Sequence, residues 1–299
     1  NNHFKKKKYL IIYRYGDAIG DHLYMTSVIS KIYEKNFKII VFSNYPELLE
    51  NNPKILKLFD LNKFFNKKIL LKILKLIQGE SIKSFRNKIV GTNKYSFMKF
   101  YPKNIHIASA GAYHFNMGLN YYNFKNEINL SKSEISKYKK RLNLPNNYAV
   151  IHSETKTSYT KNKNWGHQRI QNIVNEIDNI KWIQVGKPGE FELKNTYSSY
   201  FDLSLRELAY IISKSKFLVC MEGLYNHMAS AVNKRNFLIH TGFLSMKSIK
   251  YSNTILIEKN SDLDCYPCYS LDCVNHEVHF DNYLTSDYVI DIIKKSLDD

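Results

Sequence analysis

The chain has 299 residues, 44% of them hydrophobic, and a formal net charge of +17. That length suits one large domain or two of ordinary size, with enough apolar side chains for a substantial core, so wholesale disorder is excluded. No apolar run approaches the ~20 residues that a membrane-spanning helix needs. The positive charge invites a nucleic-acid reading, but apart from Arg14, Arg86, Arg141, Arg169, Arg206 and Arg235 it is all lysine. Bidentate recognition of bases and phosphates favours the planar fork of arginine. The charge therefore reads as a general Lys, Asn and Ile bias, with attraction to an anionic membrane surface or acceptor as the second reading. The opening "KKKK" leads into a short apolar strand rather than a signal-peptide core, and a cytoplasmic location is expected.

In chain order, "YLIIY" (9–13) reads as a buried strand. Gly16-Asp17 and Gly20-Asp21 follow it, and then a helix begins. "FKIIVFS" (37–43) is a second strand, and "YPELLENNPKILKLF" (45–59) is turn-rich because of Pro46 and Pro53. Residues 67–89 set Ile69, Leu70, Ile73, Leu74 and Ile77 among lysines, the pattern of an amphipathic helix. Its solvated Lys face suits a core-packed helix, or one lying on an anionic leaflet. "SKSEISKYKKRLNLP" (131–145) is a further helix, expected to stop at Pro145.

A second alternating series begins with the strand "YAVIHS" (148–153) and the helix "GHQRIQNIVNEID" (166–178). Next come the strand "KWIQVG" (181–186), the helix 204–215 and the strand "KFLVCM" (216–221). The helix 225–233 and the strand "NFLIHTG" (236–242) complete it. Strand–helix alternation implies parallel sheets covered by helices. Two such series, parting near 143–147, imply two Rossmann-like domains with a cleft between them.

Three strand exits carry candidate chemistry. In "VCMEGLYNHMASAV" (219–232), Glu222 closes a strand and Gly223 permits close backbone approach. The helix N-terminus there can receive a diphosphate, with His227 as an added donor. The plain alternative is a capped helix with His227 packed beneath it. In "ETKTSYTKNKNW" (154–165), Lys163 can neutralise a pyrophosphate leaving group as a point charge; the alternative is a polar loop with Trp165 plugging the core. In "QVGKPGE" (184–190), Gly186 and Gly189 let a base or ribose lie near the backbone. For the opening Gly-Asp pairs, the plain reading is a strand–helix loop with Asp21 as helix N-cap.

Taken together, these stretches resemble glycosyltransferase family 9, the bacterial heptosyltransferases of lipopolysaccharide core and capsule assembly. "IYRYGDAIGDHLYMTSVI" is similar to the family's N-terminal Gly-Asp unit, and "KNWGHQRIQNIV" to its Lys-x-Trp stretch. "LSLRELAYIISKSKFLVCMEGLYNHMASAV" resembles its acid-Thr-Gly segment with the following His, and residues 265–293 its Cys-bearing tail. The four lie in the family's order and span most of the chain.

The resemblance implies a GT-B α/β fold, two Rossmann-like domains facing each other across a cleft. Residues 1–145 would bind the acceptor, completed by a C-terminal helix at 285–299. Residues 146–284 would bind the nucleotide-sugar. It implies metal-independent, inverting transfer with no required cofactor, an ADP- or GDP-linked sugar (a heptose) as donor, and a glycan or glycolipid acceptor. Peripheral contact with the anionic inner membrane and no nucleic acid are implied as partners. Asp21 falls at the general-base position, with Gly20 and His22 beside the acceptor. Lys163, Gly186, Glu222, Gly223 and His227 fall around the donor.

The chain departs from the family at Glu222, where Asp is usual, at Leu224, where Gly is usual, and at Ser27, which replaces a helix proline. Outside the resemblance stands the Lys-rich nucleic-acid-binding alternative, whose affinity would fall steeply with salt, or a catalytically silent glycan-binding protein. Cys220 reads as a buried apolar residue. Cys265, Cys268 and Cys273, with His276 or His279, leave a zinc or iron site and plain reduced thiols both open. His106 and His114 are candidates for the acceptor side, each with a packed or surface role as the alternative.

Overall fold

The computed structural model describes residues 8–14, 18–66, 69–70, 72, 82–84, 106, 125–157, 160–259, 263–270, 273 and 276–298. The chain divides into two compact units, Asn1–Ser131 and Lys132–Asp299. Among the described residues no helix is long and apolar enough to cross a membrane.

In the first unit, β1 (Lys8–Arg14), β2 (Phe37–Ser43), β3 (Ile55–Asp60) and β4 (Ile82–Ser84) form a sheet in the order β3-β2-β1-β4. All pairs are parallel, and β1 and β2 run in unbroken register from Lys8 opposite Phe37 to Arg14 opposite Ser43. Between β1 and β2 lies α1 (Ile19–Tyr33), whose Leu23, Met25, Val28 and Ile29 are fully buried. Two buried hydroxyls of α1 are satisfied within the helix. The Thr26 and Ser27 hydroxyls each donate to the carbonyl three residues back, both at 2.6 Å. Sequence pattern misses β3 because it is an edge strand with Leu56 and Phe59 exposed, so no alternation of apolar and polar residues marks it. The helix expected over 67–89 is interrupted by β4, while Ile69, Leu70 and Lys72 are helical and the rest of that span lies outside the described residues.

The second unit contains α2 (Lys132–Leu142), β5 (Tyr148–Ile151), α3 (His167–Glu176), β6 (Lys181–Val185), β7 (Ser198–Tyr200) and α4 (Leu205–Lys214). It continues with β8 (Leu218–Met221), α5 (Leu224–Ala231), β9 (Asn236–Ile239), α6 (Met246–Ile249), β10 (Thr254–Ile257), α7 (His276–Asn282) and α8 (Ser286–Asp298). Its sheet is parallel throughout, in the order β10-β9-β8-β5-β6-β7. The central strands β5, β8 and β9 are buried along their whole length, which is why they read as continuous apolar runs. A capping box between Ser204 and Glu207 starts α4.

Two boundaries differ from the sequence reading. Helix α2 stops at Leu142, where Asn143 turns left-handed (φ 41°), three residues short of the position at which Pro145 was to stop it. It belongs to the second unit, tied to α4 by ion pairs of Glu134 with Arg206 (Nη2 to Oε2, 2.8 Å) and of Arg141 with Glu207. The C-terminal helix, expected to complete the first unit, packs here in the second. Val289, Ile290 and Ile293 of α8 share a core with Ile170, Ile173 and Val174 of α3. Trp165 plugs that core, as the plain alternative for its loop had it, and donates from Nε1 to the Leu284 carbonyl at 2.8 Å. Cys220 is likewise fully buried, its thiol pushed to high pKa by desolvation.

Both tryptophans, Trp165 and Trp182, sit in the second unit's core, so indole fluorescence reports that unit. Ile293→Ala is expected to lower its unfolding free energy in urea by about 2–5 kcal/mol through the cavity left behind. An unchanged fluorescence transition would remove α8 from this core.

Candidate functional site

Strand order fixes where a ligand can lie in the second unit. From β5 the chain moves outward through β6 and β7, and from β8 it moves the opposite way through β9 and β10. The adjacent strands β5 and β8 thus mark the point where winding reverses, and loops leaving their carboxyl ends part to form a crevice. His152, Ser153 and Glu154 leave β5, and Glu222 and Gly223 leave β8.

Gly223 has φ +145°, a conformation that side chains disfavour, and nothing lies within 4 Å of where its Cβ would be. It opens α5, which has no side-chain N-cap, so backbone N–H groups of the first turn stay available to an anion. Lys163 joins Glu222, with Nζ 3.2 Å from Oε1, and it also sits 4.8 Å from the centre of the Phe243 ring. The carboxylate is 1% exposed and the lysine side chain 17%. A backbone bond from Trp165 N to the Met221 sulfur (3.0 Å) anchors the lysine's loop to the end of β8. His227, one turn into α5, is buried with Nδ1 2.6 Å from the Tyr251 hydroxyl. Three of the sequence-predicted residues, Lys163, Glu222 and Gly223, therefore converge at one strand end, and His227 lies on the helix that starts there.

Gly186 lies differently from the expectation. A Cβ there would meet the Glu190 carboxylate at 2.5 Å and the Phe201 ring at 2.9 Å, so its missing side chain makes room for Glu190. Glu190 Oε2 is 3.4 Å from His152 Nε2, and the His152 ring stacks on Tyr225 with centroids 3.7 Å apart. Burial pushes the His152 pKa down, outweighing the opposing pull of Glu190. Beyond the His152–Glu190 and Lys163–Glu222 charge contacts, the His152 nitrogens, Glu190 Oε2 and the Glu222 oxygens have no hydrogen-bond partner among the described residues. Buried polar atoms are rarely left so, and a ligand rich in hydroxyl and anionic groups answers that deficit. Sequence reasoning missed His152, Glu190 and Tyr251. The first two carry a weak signal, as polar residues just past apolar strands; Tyr251 carries none.

In the first unit, Asp21 is the third residue of α1, and Ala18, not Asp21, occupies the N-cap position. The Asp21 carboxylate pairs with Arg14 at the end of β1, and both side chains are buried. Arg14 was not singled out from sequence, although a charge ending an apolar strand is a usable signal. Gly20 is partly exposed at the helix start. His22, expected beside an acceptor, is fully buried, with Nδ1 2.8 Å from the Ser43 hydroxyl and its ring edge-on to Tyr45. Its contacts hold α1 against the end of β2. Gly16, Asp17, the Lys run before residue 8, most of 67–89 and His114 lie outside the described residues. His106 is buried, and desolvation takes its pKa down to about 3.

Among the described residues no group of three or more His, Cys, Asp or Glu side chains is placed to hold a metal ion. Cys265 is exposed, Cys268 and Cys273 are half-buried, and among the described residues none of the three is joined in a disulfide. His279 is buried, which lowers its pKa, and stacks on Tyr283, while the His276 side chain lies outside the described residues.

The sequence matches no protein-family model and no curated protein. Among solved structures, the chain is similar to a glycosyl transferase family 9 protein from Veillonella parvula (TM-score 0.69, 11% identity, 97% of each chain). It is also similar to the ADP-heptose lipopolysaccharide heptosyltransferase II of E. coli (TM-score 0.60, 12% identity, 88% of this chain and 96% of that one). A third similar structure is TibC, an iron-containing dodecameric glycosyltransferase of enterotoxigenic E. coli (TM-score 0.64, 12% identity, 97% of this chain and 76% of that one). The fold is that of these proteins, the α/β class expected from the sequence.

Two outcomes test the site's electrostatics. His152 has a folded pKa below its ordinary 6.5, so its contribution to stability is complete above pH 6.5 and is lost as pH falls toward the folded value. Urea unfolding followed by tryptophan fluorescence between pH 7.5 and 5 is expected to weaken by up to ~1.4 kcal/mol per pH unit from this residue. His152→Gln should flatten that slope, and an equal slope in both proteins would discount the burial effect. For the other pair, Asp21→Asn strands the Arg14 charge and is expected to cost about 3–5 kcal/mol. The double change with Arg14→Gln should cost less, as read by hydrogen exchange of α1 amides.

Proposed function

We propose that this chain is a glycosyltransferase that moves a heptose from an ADP-linked donor to a hydroxyl of a lipopolysaccharide, capsule or other surface-glycan acceptor. The carrying observation is the convergence of Lys163, Glu222 and the open turn at Gly223 where β5 and β8 part. A diphosphate there would meet the Lys163 cation, the first-turn N–H groups of α5 and the His227 ring. Together these stabilise the negative charge that grows on the leaving group as the bond to the sugar breaks. Glu190, at the exit of the second strand of this Rossmann-like unit, is suited to accept hydrogen bonds from the hydroxyls of a ribose. The neighbours named for ADP-heptose transfer support ADP as the nucleotide and heptose as the sugar.

Chemically, the acceptor oxygen attacks the anomeric carbon from the face opposite the diphosphate. The new C–O bond forms as the bond to phosphate oxygen breaks, inverting the centre. Asp21 takes the proton of the attacking hydroxyl as general base, with Arg14 balancing its charge. No step requires a metal, because lysine, helix N–H groups and imidazole take the Lewis-acid part. The Lys-rich surface suits peripheral attachment to the anionic cytoplasmic leaflet, where lipid-linked acceptors are held.

Thermal unfolding with ADP, GDP, UDP and CDP tests the donor half. At ~100 times its dissociation constant a ligand adds about 2.7 kcal/mol, and ADP is expected to give the largest shift. The double variant Lys163→Gln with Glu222→Gln, which removes both charges together, should lose that shift. Transfer from ADP-heptose should fall at least ~100-fold in Asp21→Asn while ADP binding persists. If no nucleoside diphosphate stabilises the protein, the transferase reading is wrong.

A further inference from the structure

We infer that Tyr251 is a positioning residue that fixes the tautomer of His227, keeping the proton on Nε2 so that the ring presents a donor to an anionic oxygen. The inference rests on the donor-site reading above. A neutral imidazole has one donor and one acceptor nitrogen, and the hydrogen bond made at one decides the role of the other. Here Nδ1 meets the Tyr251 hydroxyl at 2.6 Å, and the two rings stand edge to face at 85°. Both residues are buried, at 7% and 3% exposure, so bulk water does not compete for this bond. A phenol is the stronger acid and an imidazole nitrogen the stronger base, so the phenol donates, Nδ1 accepts and Nε2 carries the hydrogen. The opposite tautomer would turn a lone pair toward a phosphate oxygen, which is repulsive.

The pair is braced from both sides. Asn226, the residue before His227, donates from Nδ2 to the Ile249 carbonyl at 2.9 Å, so successive residues of α5 grip the segment 249–251. Asn236 holds Asn226 in turn, Nδ2 to Oδ1 at 2.9 Å, and the Tyr251 backbone N–H donates to Thr254 Oγ1 at 3.3 Å. This bracing joins α5 to the β9–β10 connection, whose Phe243 also lies against Lys163. Tyr251→Phe keeps the ring and removes the hydroxyl that meets Nδ1.

The test uses the full chain labelled with 15N-histidine, the His227 signals being assigned by their loss in His227→Gln. Long-range 15N–1H correlation at pH 8 is expected to show the Nε2–H tautomer in the wild type and a mixed or reversed population in Tyr251→Phe. Calorimetric titration with ADP should show roughly tenfold weaker binding in Tyr251→Phe, the loss of one oriented hydrogen bond to a charged group. An Nδ1–H tautomer in the wild type overturns the inference, and this holds even if the Phe variant fails to fold. So does a tautomer unchanged in Tyr251→Phe. ADP affinity unchanged in Tyr251→Phe and His227→Gln, but lost in the Lys163→Gln, Glu222→Gln double variant, overturns the inference while leaving the donor site standing. ADP affinity unchanged in all three variants removes the donor site itself.

Discussion

Parallel pairing is the constraint on which the rest of the structure depends. In both sheets every paired strand runs the same way, so within each sheet all carboxyl ends share one edge. Each return crossing needs a connection over a face, and helices supply most of them. Functional side chains then need only to be placed in the first few residues after a strand to meet their counterparts from the next one. Arg14 ends β1 and Asp21 opens α1; His152 follows β5, Glu190 lies beyond β6, and Glu222 follows β8.

The edge so formed holds buried charge in pairs. Isolated ions are expensive away from water, whereas a pair offsets part of that cost, and well-packed apolar residues would usually serve stability as well or better. Retaining Arg14 with Asp21 and Lys163 with Glu222 at buried strand ends is therefore hard to explain by stability alone. Under the proposed function the arrangement has a use. Lys163 stays neutralised by Glu222 until an anion enters, and Asp21 stays oriented by Arg14. The ion pairs of α2 with α4 are of another kind: they decide to which unit a helix belongs.

Much of the fold was legible because periodicity is a local property. The central strands β1, β2, β5, β6, β8 and β9, together with α1, α3, α4 and α5, stand within a few residues of where apolar spacing and glycine turns put them. The strands that were missed, β3, β4, β7 and β10, are outer strands, each at an edge of its sheet. An outer strand is supported from one side, so its residues need not repeat a burial pattern. The end of α2 was misjudged for a different reason. A left-handed Asn143 can stop a helix as well as a proline, and asparagine signals this less clearly. The placement of α8 had no local signature, since an amphipathic helix does not say which apolar surface it will cover.

The candidate site divides along the same line. By itself the sequence determined the residue types at the strand exits and the glycine turn at 223, because strand, turn and helix propensity depend on near neighbours. Only the tertiary structure decided that Lys163 meets Glu222, that Arg14 neutralises Asp21, that His22 faces inward, and that Tyr251 bonds His227. Arg14 and Asp21 are seven residues apart across one strand–helix turn; the other contacts join residues far apart along the chain, brought together by sheet order and the winding of connections, which no short window of sequence contains.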